Sequence, residues 1–140
     1  MTIDQQQQEI IEEFSFFEDW MEKYEHIIEL GKELEPLAEE HHIEDNLVKG
    51  CQSRVWLHAD QKDNHVVFAA DSDAVITKGL VALMMRVLND QPAEEVAKSD
   101  LYFIDQIGLK EHLSPTRSNG LVSMVKKMKL YAVAYMAKSA

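Results

Sequence analysis

Residues 53–70 run SRVWLHADQKDNHVVFAA. Val55 and Leu57 alternate with Arg54, Trp56 and His58, and 65–70 is again rich in valine, phenylalanine and alanine, so the pattern predicts two strands, over 53–59 and 65–70. The tract Asp60-Gln61-Lys62-Asp63-Asn64 between them is polar and turn-forming, which favours direct antiparallel pairing over a crossover. A third strand is expected near 46–49.

Helical patterns lie on both sides of the hairpin. Upstream, Phe14, Phe17, Met21, Tyr24 and Ile28 recur at steps of three and four and predict one amphipathic helix, with Glu18, Asp19, Glu22, Glu25 and Glu29 on its other faces. Gly31 is expected to end it, and Glu35-Pro36 disfavours a continuation, so 31–47 reads as a long loop or broken turn. Downstream, Asp71-Ser72-Asp73 offers acceptors for a helix start, and Ile76, Leu80, Leu83, Met84, Val87 and Leu88 form an apolar face of about four turns. Gln91-Pro92 stops that helix and opens a short one, with Glu94 and Glu95 where a helix start favours negative charge. The last helix begins at Ser114-Pro115, a cap followed by proline at the first helical position, and presents Leu121, Met124, Met128, Tyr131 and Tyr135 on one face. The class is therefore α+β, a small antiparallel sheet of about three strands covered by helices, in one domain over residues 1–140. There is no internal repeat, and the glutamine run at 5–8 is too short for a low-complexity domain.

Composition narrows the function. Of 140 residues, 46% are hydrophobic and 28% charged, and no apolar run approaches a membrane span, which predicts a soluble globular protein. The net charge of -11 opposes attraction to nucleic acid or anionic lipid. It is unevenly placed: residues 1–50 hold 15 acidic and 3 basic side chains, whereas 110–140 hold 1 and 6. Solvated helix faces that pair on folding account for this, and so does a partner surface. No targeting segment is visible in the first residues, so a cytoplasmic location is the expectation.

The single cysteine, Cys51, excludes an internal disulfide, a dithiol redox pair and an all-cysteine metal site within one chain. A lone cysteine is commonly a small buried hydrophobe. Here Gly50 before it and Gln52, Ser53 and Arg54 after it place the thiol on a turn instead. A thiol with a pKa of about 8.5 needs help to ionise at neutral pH. Arg54, Lys49 and Arg117 are candidate electrostatic activators, and His41, His42, His58, His65 and His112 candidate bases; the sequence leaves the choice open. Arg117 stands in the first turn of its helix, where the dipole mildly disfavours a positive charge, so it is either used in function or satisfied by a surface salt bridge. Gly79 and Gly120 sit within helical patterns at a cost of about 1 kcal/mol each, which predicts close packing at both. His41-His42 among Glu39, Glu40 and Glu44 lacks ligand spacing and reads as a solvated acidic loop. Neither a glycine-rich phosphate loop, a Schiff-base lysine setting nor a serine nucleophile elbow is present.

Val48, Gly50-Cys51-Gln52-Ser53, Val55-Trp56-Leu57, Ala70-Asp71-Ser72-Asp73-Ala74, Lys78-Gly79-Leu80, Gly108-Leu109 and Leu113-Ser114-Pro115-Thr116-Arg117-Ser118-Asn119-Gly120-Leu121 follow one another in this order. Together they resemble the SufE/CsdE family of cysteine desulfurase activators, over most of the chain. The resemblance implies the SufE/IscU-like fold of iron–sulfur scaffold proteins. It also implies a sulfur relay in which Cys51 accepts persulfide sulfur from a PLP-dependent, SufS- or CsdA-like cysteine desulfurase, stimulates it, and passes the sulfur to a SufBCD-like scaffold or another acceptor. Gly50, Gln52, Ser53, Asp73 and Arg117 match supporting positions, with Asp73 and Arg117 near a loop that shelters the thiol and must extend to reach the desulfurase. On this reading the chain is a sulfurtransferase-type accessory protein with no cofactor or metal of its own. No nucleic acid or membrane partner is implied, and the protein is a monomer or weak homodimer. The stretch Glu39 to Asp45 matches no family motif. The competing readings are a non-catalytic adaptor that regulates a desulfurase by binding alone and an iron–sulfur scaffold, the latter disfavoured by one cysteine per chain.

Overall fold

The computed structural model describes residues 1–51 and 53–139. The hairpin forms as β1 (Val55–Lys62) and β2 (His65–Ser72), antiparallel, with Leu57 opposite Ala70 and Ala59 opposite Phe68. Its turn is tighter than expected: the strands run on through 60–62, and Asp63 takes a left-handed backbone, φ 57°, at the two-residue connection. Val55, Leu57, Ala59, Val66, Phe68 and Ala70 are buried on one face, as period-two patterning requires.

The third strand is β3 (Gln91–Pro92), paired antiparallel with β2 through His65 and Val66, so the sheet order is β1-β2-β3. The segment near 46–49 contributes an isolated bridge, Leu47 to Trp56, and a hydrogen bond from Val48 N–H to the Val55 carbonyl at 2.8 Å. A two-residue strand is set by where α3 (Val75–Leu88) returns the chain to the sheet, which no local pattern signals.

The single upstream helix is in fact two, α1 (Ile3–Ser15) and α2 (Trp20–Lys32). Thr2 and Gln5 form a reciprocal capping box that starts α1, and Asp19 caps α2, so Phe14 and Met21 belong to different helices and Met21 is exposed. Gly31 lies inside α2 rather than ending it. It meets Gly79 of α3 where the two backbones touch: a Cβ on Gly79 would stand 2.1 Å from the Ile27 carbonyl oxygen. Both glycines are the condition for this crossing.

Between α2 and β1 the chain makes two short 3-10 turns, Glu39–His41 and Glu44–Asn46. After β3 come α4 (Ala93–Lys98), the single turns α5 (Phe103–Gln106) and α6 (Leu109–His112), and the long α7 (Pro115–Ser139). One contiguous apolar cluster joins Ile10 and Phe14 of α1, Ile27 of α2, the inner sheet face, the expected face of α3, and Leu121, Met124 and Met128 of α7. Buried Gln7 is satisfied at both ends, donating to the Asp100 carbonyl and accepting from Phe103 N–H, which ties α1 to the start of α5.

Candidate functional site

The connection that leaves Val48 and returns at Val55 is closed at its base by the Leu47–Trp56 bridge and the Val48–Val55 hydrogen bond, and Cys51 stands on this loop near its tip. Gly50 turns the chain with φ +92°, a backbone conformation that disfavours any side chain, and a Cβ there would also stand 2.8 Å from Ser123 Oγ of α7, which would have to rotate away. The far end of the loop is held by the segment after β2. Asp73 Oδ1 accepts the Arg54 N–H at 3.0 Å, and Ser72 Oγ donates to the Arg54 carbonyl at 2.8 Å. Ser72 and Asp73 therefore serve the Cys51 loop, whereas Asp71 pairs with His42 and with Lys78 of α3 at 3.4 Å, and Ser72 Oγ also accepts the Ala74 N–H at 3.3 Å. The residue that caps α3 is Ala74, without a side-chain acceptor of its own.

The loop lies against α7. Cys51 Sγ is 3.5 Å from the Gly120 carbonyl oxygen, and a Cβ on Gly120 would stand 3.2 Å from the sulfur, so the predicted close packing at Gly120 is packing against the thiol. The half-buried thiol borders a cavity of about 30 Å³, with Ser53 and Val55 on its own side, Thr77, Leu80 and Val81 from α3, and Thr116, Arg117, Leu121 and Met124 from α7. A water-sized group needs roughly 10–15 Å³, so one further atom of sulfur size fits beside Sγ.

Burial pushes the Cys51 thiol above its ordinary pKa. The cationic activation expected from Arg54, Lys49 or Arg117 does not offset this in the seated loop, and the resting thiol is protonated at neutral pH. None of the candidate bases borders the cavity. His42 Nε2 is 2.8 Å from Asp71 Oδ2 and meets Trp56 edge-on, His41 stacks on His58 with ring centres 3.7 Å apart, His65 is bonded to Asp90, and His112 stacks on Trp20. The acidic side chains of the stretch Glu39 to Asp45 are exposed, as a solvated loop requires, while its two histidines dock it on the outer face of the hairpin.

Of the residues named from the sequence, Gly50, Cys51, Ser53 and Arg117 meet at this site, and Asp73 acts on it through Arg54. Gln52 lies outside the described residues. Arg117 is exposed, its N–H donates to Ser114 Oγ at 3.3 Å, and among the described residues its guanidinium forms no ion pair. Thr77 and Thr116 were not singled out from the sequence. Thr77 opens α3 two residues after Val75 and Thr116 lies beside Arg117, and neither position carries a chemical signal until the two helices converge on Cys51. Among the described residues no group of three or more histidine, cysteine or acidic side chains is disposed to hold a metal ion, and no helix is long and apolar enough to cross a membrane.

Residues 8–132 match the family model of SufE, the Fe-S metabolism associated domain. The chain belongs to the SufE family. An uncharacterized SufE-like protein of Rhizobium etli is 45% identical over 126 residues, covering 86% of this chain and 85% of that one. An uncharacterized SufE-like protein of Rhizobium meliloti is 41% identical over 126 residues, covering 86% and 90%. The solution structure of a hypothetical protein from Thermus thermophilus aligns with a TM-score of 0.78 at 19% identity, over 94% of this chain and 96% of that one, and shows the same fold. The SufE membership ties the chain to Fe–S metabolism, and the α+β architecture with its three-stranded antiparallel sheet agrees with the fold expected from the sequence.

Proposed function

We propose that this SufE-family protein carries sulfur: Cys51 takes the outer sulfur of a persulfide held by a PLP-dependent cysteine desulfurase and hands it to an Fe–S assembly scaffold or another acceptor. The observation that carries this reading is the seating of the sole cysteine on a loop tip beside a cavity with room for one more sulfur atom. The Cys51 thiolate attacks the outer sulfur of the donor persulfide; a new S–S bond forms at Cys51, the donor S–S bond breaks, and the donor sulfur leaves as a thiolate that takes up the proton Cys51 gave up. No net oxidation occurs. Having no second thiol, the chain cannot resolve the Cys51 persulfide into an internal disulfide and lose its sulfur as sulfide.

Burial that keeps the resting thiol protonated protects it and any sulfur it carries, and the same burial means that attack follows displacement of the loop from α7 by the desulfurase. The left-handed Gly50 and the small set of anchors at Arg54 and Gly120 suit a loop that moves as a unit. On this reading residues 1–140 work as one domain in the cytoplasm, with PLP belonging to the partner.

Incubation with a desulfurase and cysteine under non-reducing conditions should leave Cys51 heavier by one sulfur atom in a mass spectrum. Cys51→Ser should still bind the desulfurase but no longer stimulate sulfide release. Full stimulation by the serine variant would replace the relay with an adaptor that acts by binding alone.

A further inference from the structure

Next to the Cys51 loop a groove of about 550 Å³ runs between residues 44–49 and the middle of α7, with Leu47, Val48 and Leu130 as apolar walls and Lys49, Lys126 and Lys127 around them. Lys49 and Lys126 are exposed, and among the described residues neither has a carboxylate within ion-pair distance, although Glu44 and Asp45 stand at one end of the groove. Lys127 donates to the Leu47 carbonyl at 3.1 Å, and burial together with the nearby Lys49 charge lowers its pKa. Three lysines thus stand together in a protein whose net charge is -11, Lys127 held by the Leu47 carbonyl and the Tyr131 ring and the other two without an ion-pair partner among the described residues. Glu44, Leu47, Val48 and Lys49 also line a smaller cleft that reaches Cys51, so the groove is continuous with the sulfur site.

We propose that this groove docks an acidic segment of a partner protein, its carboxylates meeting Lys49 and Lys126 and its aliphatic side chains lying on Leu47, Val48 and Leu130. Charge complementarity selects the sign of the ligand, and the rest of the molecule selects its kind. With 15 acidic side chains in the first 50 residues, the protein repels an extended polyanion such as a nucleic acid or an anionic bilayer, and Glu44 and Asp45 narrow the positive region further. A short chain mixing carboxylates with aliphatic groups fits the mixture of walls. A segment seated there also touches the strand of chain that leads into Gly50 and Cys51. That consequence for sulfur delivery rests on the relay proposed above; the binding itself does not.

The test is an NMR titration of the full chain with a short peptide of alternating glutamate and leucine. Saturable shifts of the amides of residues 44–49 and 123–130 are expected, weakening about tenfold in Lys49→Glu/Lys126→Glu, as two reversed ion pairs predict. Lys126→Glu alone carries the comparison should the double variant fail to fold, and its loss should be smaller but of the same sign. Cys51→Ser should bind the peptide as the parent does, so a failed relay and a failed groove give different results. Shifts that map elsewhere, equal affinity in the charge-reversed variants, or tighter binding of duplex DNA or of phosphatidylglycerol vesicles at the same residues would each overturn the proposal.

Discussion

Asp73 holds both backbone groups of Arg54: its carboxylate accepts the Arg54 N–H at 3.0 Å, and its own N–H donates to the Arg54 carbonyl at 3.2 Å. Because Arg54 ends the loop that carries Cys51, this pair anchors the thiol without touching it. Asp73→Ala removes the acceptor and leaves an N–H that water can reach, so a stability loss of about 0.5–1.5 kcal/mol is expected with the fold retained. Iodoacetamide should modify Cys51 several times faster in the variant. An unchanged alkylation rate would show that the loop is held by its other contacts.

Gly120→Ala sets two effects against each other. Alanine within α7 gains up to about 1 kcal/mol of helix propensity, but its Cβ would lie 3.2 Å from Cys51 Sγ. The neighbour is a loop, which can yield, so global stability in urea should change little while Cys51 alkylation accelerates and the lifetime of any Cys51 persulfide shortens. A thiol no more reactive than in the parent would mean that the loop stays seated despite the added methyl.

Gly79→Ala is the contrasting case. Its Cβ would fall 2.1 Å from the Ile27 carbonyl oxygen, and the obstacle is the backbone of a packed helix that cannot step aside. The same helix-propensity gain is outweighed by forced separation of α2 and α3, and a loss of roughly 3 kcal/mol or failure to fold is expected. A urea midpoint equal to that of the parent would refute the tight crossing.

Arg117→Ala distinguishes a functional arginine from a surface ion pair by the sign of its effect on stability. With no carboxylate partner among the described residues and a position in the first turn of α7, loss of the charge should leave stability unchanged or raise it by about 0.3–1 kcal/mol. Sulfur acceptance by Cys51, followed by mass spectrometry over time, should slow by about tenfold, the worth of one charge-assisted hydrogen bond to a sulfur anion. Parent kinetics combined with lower stability would return Arg117 to a structural role.

The pH dependence of Cys51 follows from its burial. Because the folded thiol ionises above its ordinary range, alkylation of the native protein should inflect at higher pH than that of the urea-unfolded chain. The unfolded chain loses its thiol proton first, so the thiol's contribution to stability is fully present below about pH 8.5 and is lost as pH rises through the folded value. Comparison of parent and Cys51→Ser unfolding between neutral and alkaline pH isolates it from Tyr102 and Tyr135, whose pKa values are also raised. Identical inflections in folded and unfolded protein would exclude a buried resting thiol.

Legibility in the sequence followed the range of the interactions. The hairpin, α3, α4 and α7 could be read because alternation, helical spacing, the Gln91-Pro92 break and the Ser114-Pro115 cap are written within a few residues. The capping box of Thr2 and Gln5 was equally local, yet it lay against a glutamine run without an apolar pattern, and α1 went unread. Gly31 had the look of a helix end because the residue that demands a glycine there, Gly79, belongs to another helix. Ser72-Asp73 resembled a cap for the same reason: the partner of both, Arg54, precedes them by a whole hairpin.

One thiol, its place between Gly50 and Ser53, the family pattern around it and the split of charge between the two ends of the chain were all present in the order of residues. The protonated state of that thiol, its cavity, its contact with Gly120 and the meeting of Lys49 with Lys126 and Lys127 were not. Those properties are desolvation and proximity, and they depend on atoms that β1, α3 and α7 bring together from separate stretches of chain. Local patterns specify which elements form, whereas the environment of Cys51 exists once those elements have packed.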